Sequence, residues 1–212
     1  DGAEYKRAGI APSITFGLDS DTRATLSYYY LKSDDTPDSG VPYNYDATKK
    51  ATVGKPVDVK QGIYYGLHDR DFQKQENQIG TIKLEHDIND NLTITNTAVY
   101  NKSTNDYLWT QPDDSKGNVF NDKVWRRINS RITDTDIFTD QLALTGKFNT
   151  GTIKHKFNVG AEYSDQESNK GSYTTTYPGY AGTTTGGFNS DCKINDAWCT
   201  SLTNPNSKEE WL

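Results

Sequence analysis

Three pairs of alternating segments, each joined by a short polar turn, are separated by long connections in this 212-residue sequence. The short turns are Asp19–Thr22, Asn89–Asn91 and Asn149–Thr152. The long connections run from about Lys32 to Asn77, from about Asp106 to Asp136, and from about Ser164 to the end. This regular succession is typical of hairpins whose tight turns all lie at one end of a sheet.

Each segment alternates apolar and polar residues, as a β-strand with two different faces does. In the second hairpin Ile82 and Leu84 share one face, whereas Thr81, Lys83 and Glu85 share the other. The first and third hairpins repeat this period of two. The sequence therefore predicts an all-β, antiparallel fold of about six strands in three hairpins.

The charged residues within the strands indicate which face would meet lipid. A lysine on the lipid face near the middle of a membrane costs about 2–4 kcal/mol, whereas a watery lumen accepts it at little cost. We therefore predict a segment of a transmembrane β-barrel whose polar face lines the lumen. An antiparallel β-sandwich with one wet face per sheet explains the alternation equally well. It does not explain the long connections, since hairpin loops usually have about two to five residues.

Composition narrows the class of protein. Hydrophobic residues make up 33% of the chain, the mean hydropathy is −0.87, and no apolar run is long enough for a transmembrane helix. The net charge of −6 and the scattered basic residues argue against nucleic acid as a partner. No nucleophile or HExxH motif is present, so we predict that the protein is not an enzyme and has no catalytic or metal site. Both ends of the chain look cut.

The two cysteines lie close together in the third long connection. Cys192 and Cys199 suggest a disulfide formed in an oxidising compartment. The alternative, a pair of metal ligands, lacks both CxxC spacing and neighbouring histidines.

The long connections carry the residues best suited to hold a ligand. Tyrosines and tryptophans offer flat faces, and arginines beside them can hold an anionic or catecholate group. The candidates are Tyr43, Tyr45, Tyr64, Tyr65, Trp109, Trp125, Arg126, Arg127 and Arg131. Alternatively, the arginines pair with the loop carboxylates Asp113, Asp114 or Asp122. A further acidic group, Asp34, Asp35 and Asp38, suits a solvated turn better than a calcium site, because no Glu completes a ligand loop.

Several stretches resemble one family. Lys6–Leu18, Leu26–Tyr30, Asp35–Pro42 and Leu84–Ile94 are similar to barrel strands of TonB-dependent siderophore receptors, and most similar to those of the catecholate type. The resemblance extends to about Tyr163.

This resemblance implies a 22-stranded barrel with an N-terminal plug, in the cell outer membrane of a Gram-negative bacterium, with its long loops extracellular. It implies a ferric siderophore as transported ligand and no covalently bound cofactor. The implied partners are the TonB complex, outer-membrane lipid and lipopolysaccharide. Because the chain has about six strands and neither a plug nor a TonB-engaging motif, we expect residues 1–212 to form part of the barrel domain. A passive porin-like barrel and a soluble β-sandwich binding module or adhesin remain alternatives.

Overall fold

A computed structural model describes residues 2–46, 51–113, 119–120, 122–174 and 199–207, and every regular element among them is a β-strand. The strands are β1 (Glu4–Ile10), β2 (Ser13–Phe16), β3 (Thr22–Thr36), β4 (Tyr43–Asp46), β5 (Ala51–Pro56), β6 (Phe72–Asn89), β7 (Leu92–Asp113), β8 (Val119–Phe120), β9 (Lys123–Thr150), β10 (Ile153–Gly171) and β11 (Cys199–Ser201). None of the described residues forms a helix long and apolar enough to cross a membrane.

The long strands make one antiparallel sheet in the order β1-β3-β6-β7-β9-β10. Strand β2 continues β1 along β3 in the same register, because Ile10 pairs with Tyr30 and Ser13 with Ser27. The break between them falls at Pro12, which has no backbone N–H to donate to the ladder. The six strand positions and three hairpins predicted from the sequence are therefore confirmed.

The register keeps the two predicted faces consistent across the sheet. Thr25 pairs with Lys83, Lys83 with Thr97, and Thr97 with Gln141, so the polar residues form continuous cross-strand rows. The opposite face is apolar and uncovered: Ile82 is 49% exposed and Leu84 is 46% exposed. In a β-sandwich this face would be covered by a second sheet, whereas in a barrel it contacts lipid.

The second long connection proved much shorter than the sequence suggested. Strand β7 continues to Asp113 and β9 begins at Lys123, so most of the stretch from Asp106 to Asp136 is sheet. The prediction was wrong because apolar residues lie on both faces there, Trp109 on one and Leu108 and Val124 on the other, so the hydrophobic alternation is lost although the backbone ladder continues. Cross-strand hydrogen bonds between side chains, such as Thr104 Oγ1 to Asp134 (2.9 Å), also join the two strands.

Strands β7 and β9 are far longer than a membrane requires. They have 22 and 28 residues, whereas about 9–11 residues span a bilayer. In a membrane-spanning barrel their upper parts, remote from the short turns, would therefore project beyond the bilayer. The largest fully buried side chains among the described residues belong to this end of the sheet: Tyr65, Leu67, Val124, Thr110, Thr200, Pro42 and Cys199.

Candidate ligand-binding site

Three segments pack together at the projecting end and form what we call the loop cluster. They are residues 62–71 of the first long connection, the upper ends of β7 and β9, and residues 199–207. Strand β11 joins this cluster by pairing with β9, with Cys199 opposite Trp125. Burial removes most of the tyrosine surface, since Tyr64 is 6% exposed and Tyr65 is 1% exposed.

A buried carboxylate fixes residues 62–71 to β7. Asp71 Oδ2 accepts the backbone N–H groups of Leu67 (2.9 Å) and Thr110 (2.8 Å). Asp71 Oδ1 accepts the hydroxyl of Thr110 at 2.9 Å. The guanidinium of Arg70 lies beside both groups. Because the Asp71 carboxylate is fully buried and hydrogen-bonded on both oxygens, it acts as an anchor of the loop.

Arg126 joins the three segments rather than facing solvent. It is 4% exposed, and its Nη1 donates to the carbonyl oxygens of Tyr65 (3.2 Å) and Asn206 (2.6 Å). The Tyr65 hydroxyl in turn donates to the Leu202 carbonyl at 2.6 Å. These contacts leave Tyr64, Tyr65 and Arg126 little surface for a ligand, so we assign them to packing.

Asp122, one of the carboxylates considered as an arginine partner, instead holds the segment that contains β11. Its carboxylate accepts the Ser201 hydroxyl (3.0 Å) and both the backbone N–H (3.1 Å) and hydroxyl (2.9 Å) of Thr203. Its φ of 59° lies in the left-handed region, which aspartate tolerates better than most residues. Asp122 therefore both forms the turn before β9 and fixes residues 201–203.

The other predicted residues of the long connections are dispersed. Tyr43 and Tyr45 belong to β4, which forms a separate two-stranded sheet with β5; Tyr43 is 43% exposed, and the Tyr45 side chain is not described. Asp35 accepts the Lys6 backbone N–H at 3.1 Å. No group of residues suited to bind a metal occurs among those described.

Cys199 is buried and is not a free thiol. Cys192 lies outside the described residues, as does Asp114. The disulfide therefore stays a prediction.

A second set of candidates comes together on the inner face of β7 and β9. Tyr107 pairs with Arg131, Trp109 with Asn129, and Gln111 with Arg127. The register between the two strands is unbroken from Leu92 to Asp113, so these residues share the face of Thr97 and Gln141. We call this set of six residues the inner-face ladder.

The aromatic side of the ladder is preorganised. The rings of Tyr107 and Trp109 stack with their centroids 4.2 Å apart and their planes at 15°. Trp109 is half-buried. Such a pair offers a flat, rigid surface at little cost in side-chain entropy.

The cationic side of the ladder is open to solvent. Arg127 and Arg131 are exposed, and no ion pair within the described part of the chain joins either of them to a carboxylate. The Arg127 guanidinium contacts the side-chain amide of Gln111, which can present its oxygen to it. The ladder can therefore hold an anion with two guanidinium groups beside an aromatic surface.

The sequence predicted Trp109, Arg127 and Arg131 for a ligand site but missed Tyr107, Gln111 and Asn129. Predicting that the strand continues to Asp113 would have identified Tyr107 and Gln111, because residues 107, 109 and 111 then lie on one face. Trp125 lies on the same face of β9 as Arg127 and Arg131, yet it is only 9% exposed and pairs with Cys199. Its surroundings thus belong to the loop cluster.

Burial changes the titration of the loop-cluster tyrosines. It raises the pKa of Tyr65 to about 12, with a smaller contribution from the negative charge of Asp122. It also raises the pKa of Tyr64 well above its ordinary value, assisted by Asp71 and Asp38. Both hydroxyls therefore stay protonated, consistent with their roles as hydrogen-bond donors to Leu202 and Pro37.

No family model matches the chain. Among curated proteins it is 65% identical over 209 residues to the probable TonB-dependent siderophore receptor PiuA of Acinetobacter baumannii, covering 98% of this chain and 28% of that protein. It is 32% identical over 192 residues to the catecholate siderophore receptor Fiu of Escherichia coli K12, covering 84% of this chain and 25% of that protein. The crystal structure of PiuA from A. baumannii superposes with a TM-score of 0.85 at 64% identity, over 98% of this chain and 30% of that one.

The chain thus spans between a quarter and a third of the length of these relatives. The sheet order, the exposed apolar face and the projecting strands agree with the barrel of such a receptor, in which the long connections are extracellular. We conclude that the chain is a β-barrel segment of the TonB-dependent siderophore receptor family, whose members are outer-membrane proteins of Gram-negative bacteria.

Proposed function

We propose that the receptor containing this segment binds ferric siderophores, and catecholate chelates in particular, and imports them across the outer membrane with energy from the TonB complex. The observation that carries the ligand assignment is the inner-face ladder, with its Tyr107–Trp109 stack opposite Arg127 and Arg131. The names of the relatives support the class of ligand, since one is a catecholate siderophore receptor.

The chemistry of the ladder suits an anionic aromatic chelate. Catecholate rings can lie against the Tyr107 and Trp109 surface, while the guanidinium groups of Arg127 and Arg131 donate charge-assisted hydrogen bonds to catecholate oxygens. Neither interaction needs a bond to form or break. The proposed mechanism is therefore binding without catalysis, with the ferric siderophore as cargo and no resident cofactor.

The position of the ladder fits the entry side of a transport path. It lies on the lumen face and near the extracellular end of β7 and β9, beyond the part of each strand that a membrane requires. A ligand held there faces the interior of the barrel. Passage to the periplasm, and contact with a plug and with TonB, would depend on parts of the receptor other than this segment.

The function is tested by uptake of radioactive iron in cells grown under iron limitation. Deleting the gene that encodes the receptor, in a strain without redundant receptors, should abolish uptake of ferric catecholates, and the intact gene should restore it. Deleting TonB should abolish uptake in the complemented strain as well. Unchanged uptake without the receptor would refute the proposal, and uptake that persists without TonB would favour a passive porin-like barrel.

A further inference from the structure

Arg127 of the inner-face ladder is oriented by an uncharged side chain. It pairs with Gln111 across β7 and β9, and its Nε and Nη2 atoms both lie 2.5 Å from the Gln111 side-chain amide. A guanidinium carries only N–H donors, so the amide atom that faces it must be the oxygen. The Gln111 oxygen therefore accepts N–H groups from two nitrogens of Arg127, and this geometry fixes the plane of the guanidinium.

The orientation of Gln111 is fixed in turn by Asn129. With the Gln111 oxygen toward Arg127, the NH2 group of the same amide faces the side-chain amide of Asn129, whose Oδ1 atom can accept it. Asn129 lies on the same face of β9 as Arg127, because successive side chains of a strand alternate between its faces. Gln111 and Asn129 are half-buried, whereas Arg127 is exposed. The two amides thus form a support that restricts the rotamers of an exposed arginine.

This support leaves the positive charge of Arg127 available. The Gln111 oxygen is neutral, and the Nη1 atom of Arg127 takes no part in the contact. Arg23, near the short turns, shows the opposite arrangement, because its guanidinium meets the carboxylate of Asp87 at 2.6 and 3.1 Å and is neutralised by it. A carboxylate at position 111 would hold Arg127 as firmly, but it would compete with an anionic ligand for the same guanidinium.

We propose that Gln111 is a positioning residue for the binding of ferric catecholates: it orients the guanidinium of Arg127 through a neutral acceptor and so preserves the charge of Arg127 for an anionic ligand. The inference rests on the proposed function, because it names the residue that orients one of the ligand-binding cations. Arg131 pairs across the strands with Tyr107 and not with an amide. Gln111 therefore acts on Arg127, and Arg131 serves as the internal comparison.

The first test is the affinity of the full-length receptor for a ferric catecholate, measured with two substitutions of Gln111. Gln111→Met removes the acceptor at nearly constant size. We expect about fivefold weaker binding, because the ligand itself must then order Arg127. Gln111→Glu keeps an acceptor but neutralises Arg127, and we expect at least about tenfold weaker binding. If Gln111 only supplied a structural hydrogen bond, Gln111→Glu would be the milder change.

Two controls separate positioning from a general effect of charge. Gln75→Glu adds the same charge to the inner face beside Asn105, whose amide can turn to donate to it. Gln75 is level with Thr133 of β9, about 20 Å along the strand from Arg127, and the Debye length at physiological salt is about 8 Å. Gln75→Glu should therefore bind nearly as the wild type does. In the Arg127→Gln background, Gln111→Met should cause no further loss, since it acts through Arg127.

A measurement without ligand distinguishes this inference from the proposed function. Phenylglyoxal modifies accessible guanidinium groups, and peptide mass spectrometry gives the rate of modification at each arginine of the full-length receptor. Gln111→Met should raise the rate at Arg127 at least about twofold and leave the rate at Arg131 unchanged.

Equal rates at Arg127 in Gln111→Met and wild type would overturn the inference. Undiminished affinity in Gln111→Met, in a receptor that Arg127→Gln weakens, would overturn it as well. If Arg127→Gln itself left the affinity unchanged, the proposed function would be wrong, and the modification rate would decide whether Gln111 orients Arg127.

Discussion

The carboxylate of Asp71 accepts both the backbone N–H and the hydroxyl of Thr110, at 2.8 and 2.9 Å. This contact fixes residues 62–71 to the end of β7. We expect Asp71→Ala to destabilise the closed loop by about 1–3 kcal/mol, because buried donors lose their acceptor. Hydrogen exchange in the full-length receptor should show faster exchange in residues 62–71, while the membrane part of β6 and β7 stays protected.

A matched control for this prediction is Asp69→Ala. Asp69 is exposed, so its removal should change exchange in residues 62–71 very little. If residues 62–71 exchanged at the same rate in the Asp71→Ala and Asp69→Ala variants, the assignment of Asp71 as an anchor would be wrong.

Two adjacent arginines should respond differently to substitution. Arg126 donates to the Tyr65 and Asn206 carbonyls from a buried position, whereas Arg127 is exposed on the inner face. We expect Arg126→Met to destabilise the closed loop cluster by about 1.5–3 kcal/mol, the usual range for hydrogen bonds to a charged group. Hydrogen exchange in residues 199–207 measures this change. Arg127→Met is the control, and equal exchange in the two variants would contradict the assignment.

The orientation of the sheet predicts opposite outcomes at neighbouring positions of β6. Leu84 lies on the exposed apolar face, and Lys83 lies on the polar face with its ammonium 3.1 Å from Glu85. Leu84→Lys should cost about 2–4 kcal/mol of folding free energy, because it places a charge in lipid. Lys83→Leu should cost less than about 1 kcal/mol. Urea unfolding of the full-length receptor in lipid vesicles tests the pair, and the reverse order would mean that the faces are exchanged.

The loop cluster should loosen at high pH. Burial raises the pKa of Tyr65 to about 12, whereas an unfolded tyrosine titrates near 10. The stabilisation that protonated Tyr65 gives the loop cluster is therefore complete below pH 10. It is lost between about pH 10 and 12, at a slope of at most about 1.4 kcal/mol per pH unit. Hydrogen exchange in residues 62–71, corrected for the intrinsic rate at each pH, should follow this loss.

Tyr65→Phe provides the internal comparison for the pH dependence. It removes the titrating hydroxyl and its hydrogen bond to Leu202. The loop cluster of this variant should be less stable at neutral pH, and its stability should fall less steeply with pH above pH 10. An unchanged slope would assign the effect to other groups.

Local pattern was sufficient to predict the part of the fold within the membrane. A lipid face and a wet face impose a period of two on residues such as Ile82, Lys83 and Leu84, and the chain displays it directly. Above the membrane β7 and β9 carry apolar residues on both faces, Trp109 on one and Leu108 and Val124 on the other, so the period disappears while the ladder continues to Asp113. The extent of these strands could not be read from hydrophobic alternation, because apolar residues on both faces remove the period of two.

The candidate site was predictable in residue type but not in arrangement. Arg126 and Arg127 are adjacent in sequence, yet strand geometry places them on opposite faces, one in the loop cluster and one in the inner-face ladder. The Tyr65 hydroxyl donates to Leu202, a residue more than 130 positions away. The composition of a short stretch of sequence does not predict such long-range contacts.

The most direct test of the account is the affinity of the full-length receptor for a ferric catecholate, measured by quenching of tryptophan fluorescence. The variant Arg127→Gln/Arg131→Gln removes two cations from the inner-face ladder. The control Lys154→Gln/Lys156→Gln removes two exposed lysines from the polar face near the short turns. It changes the net charge by the same amount as the arginine variant. Each lost charge-assisted hydrogen bond is worth about 1.5–3 kcal/mol, so we predict at least about a hundredfold weaker binding for the arginine variant and little change for the lysine variant. Equal affinity of the arginine variant and the wild type would contradict the account.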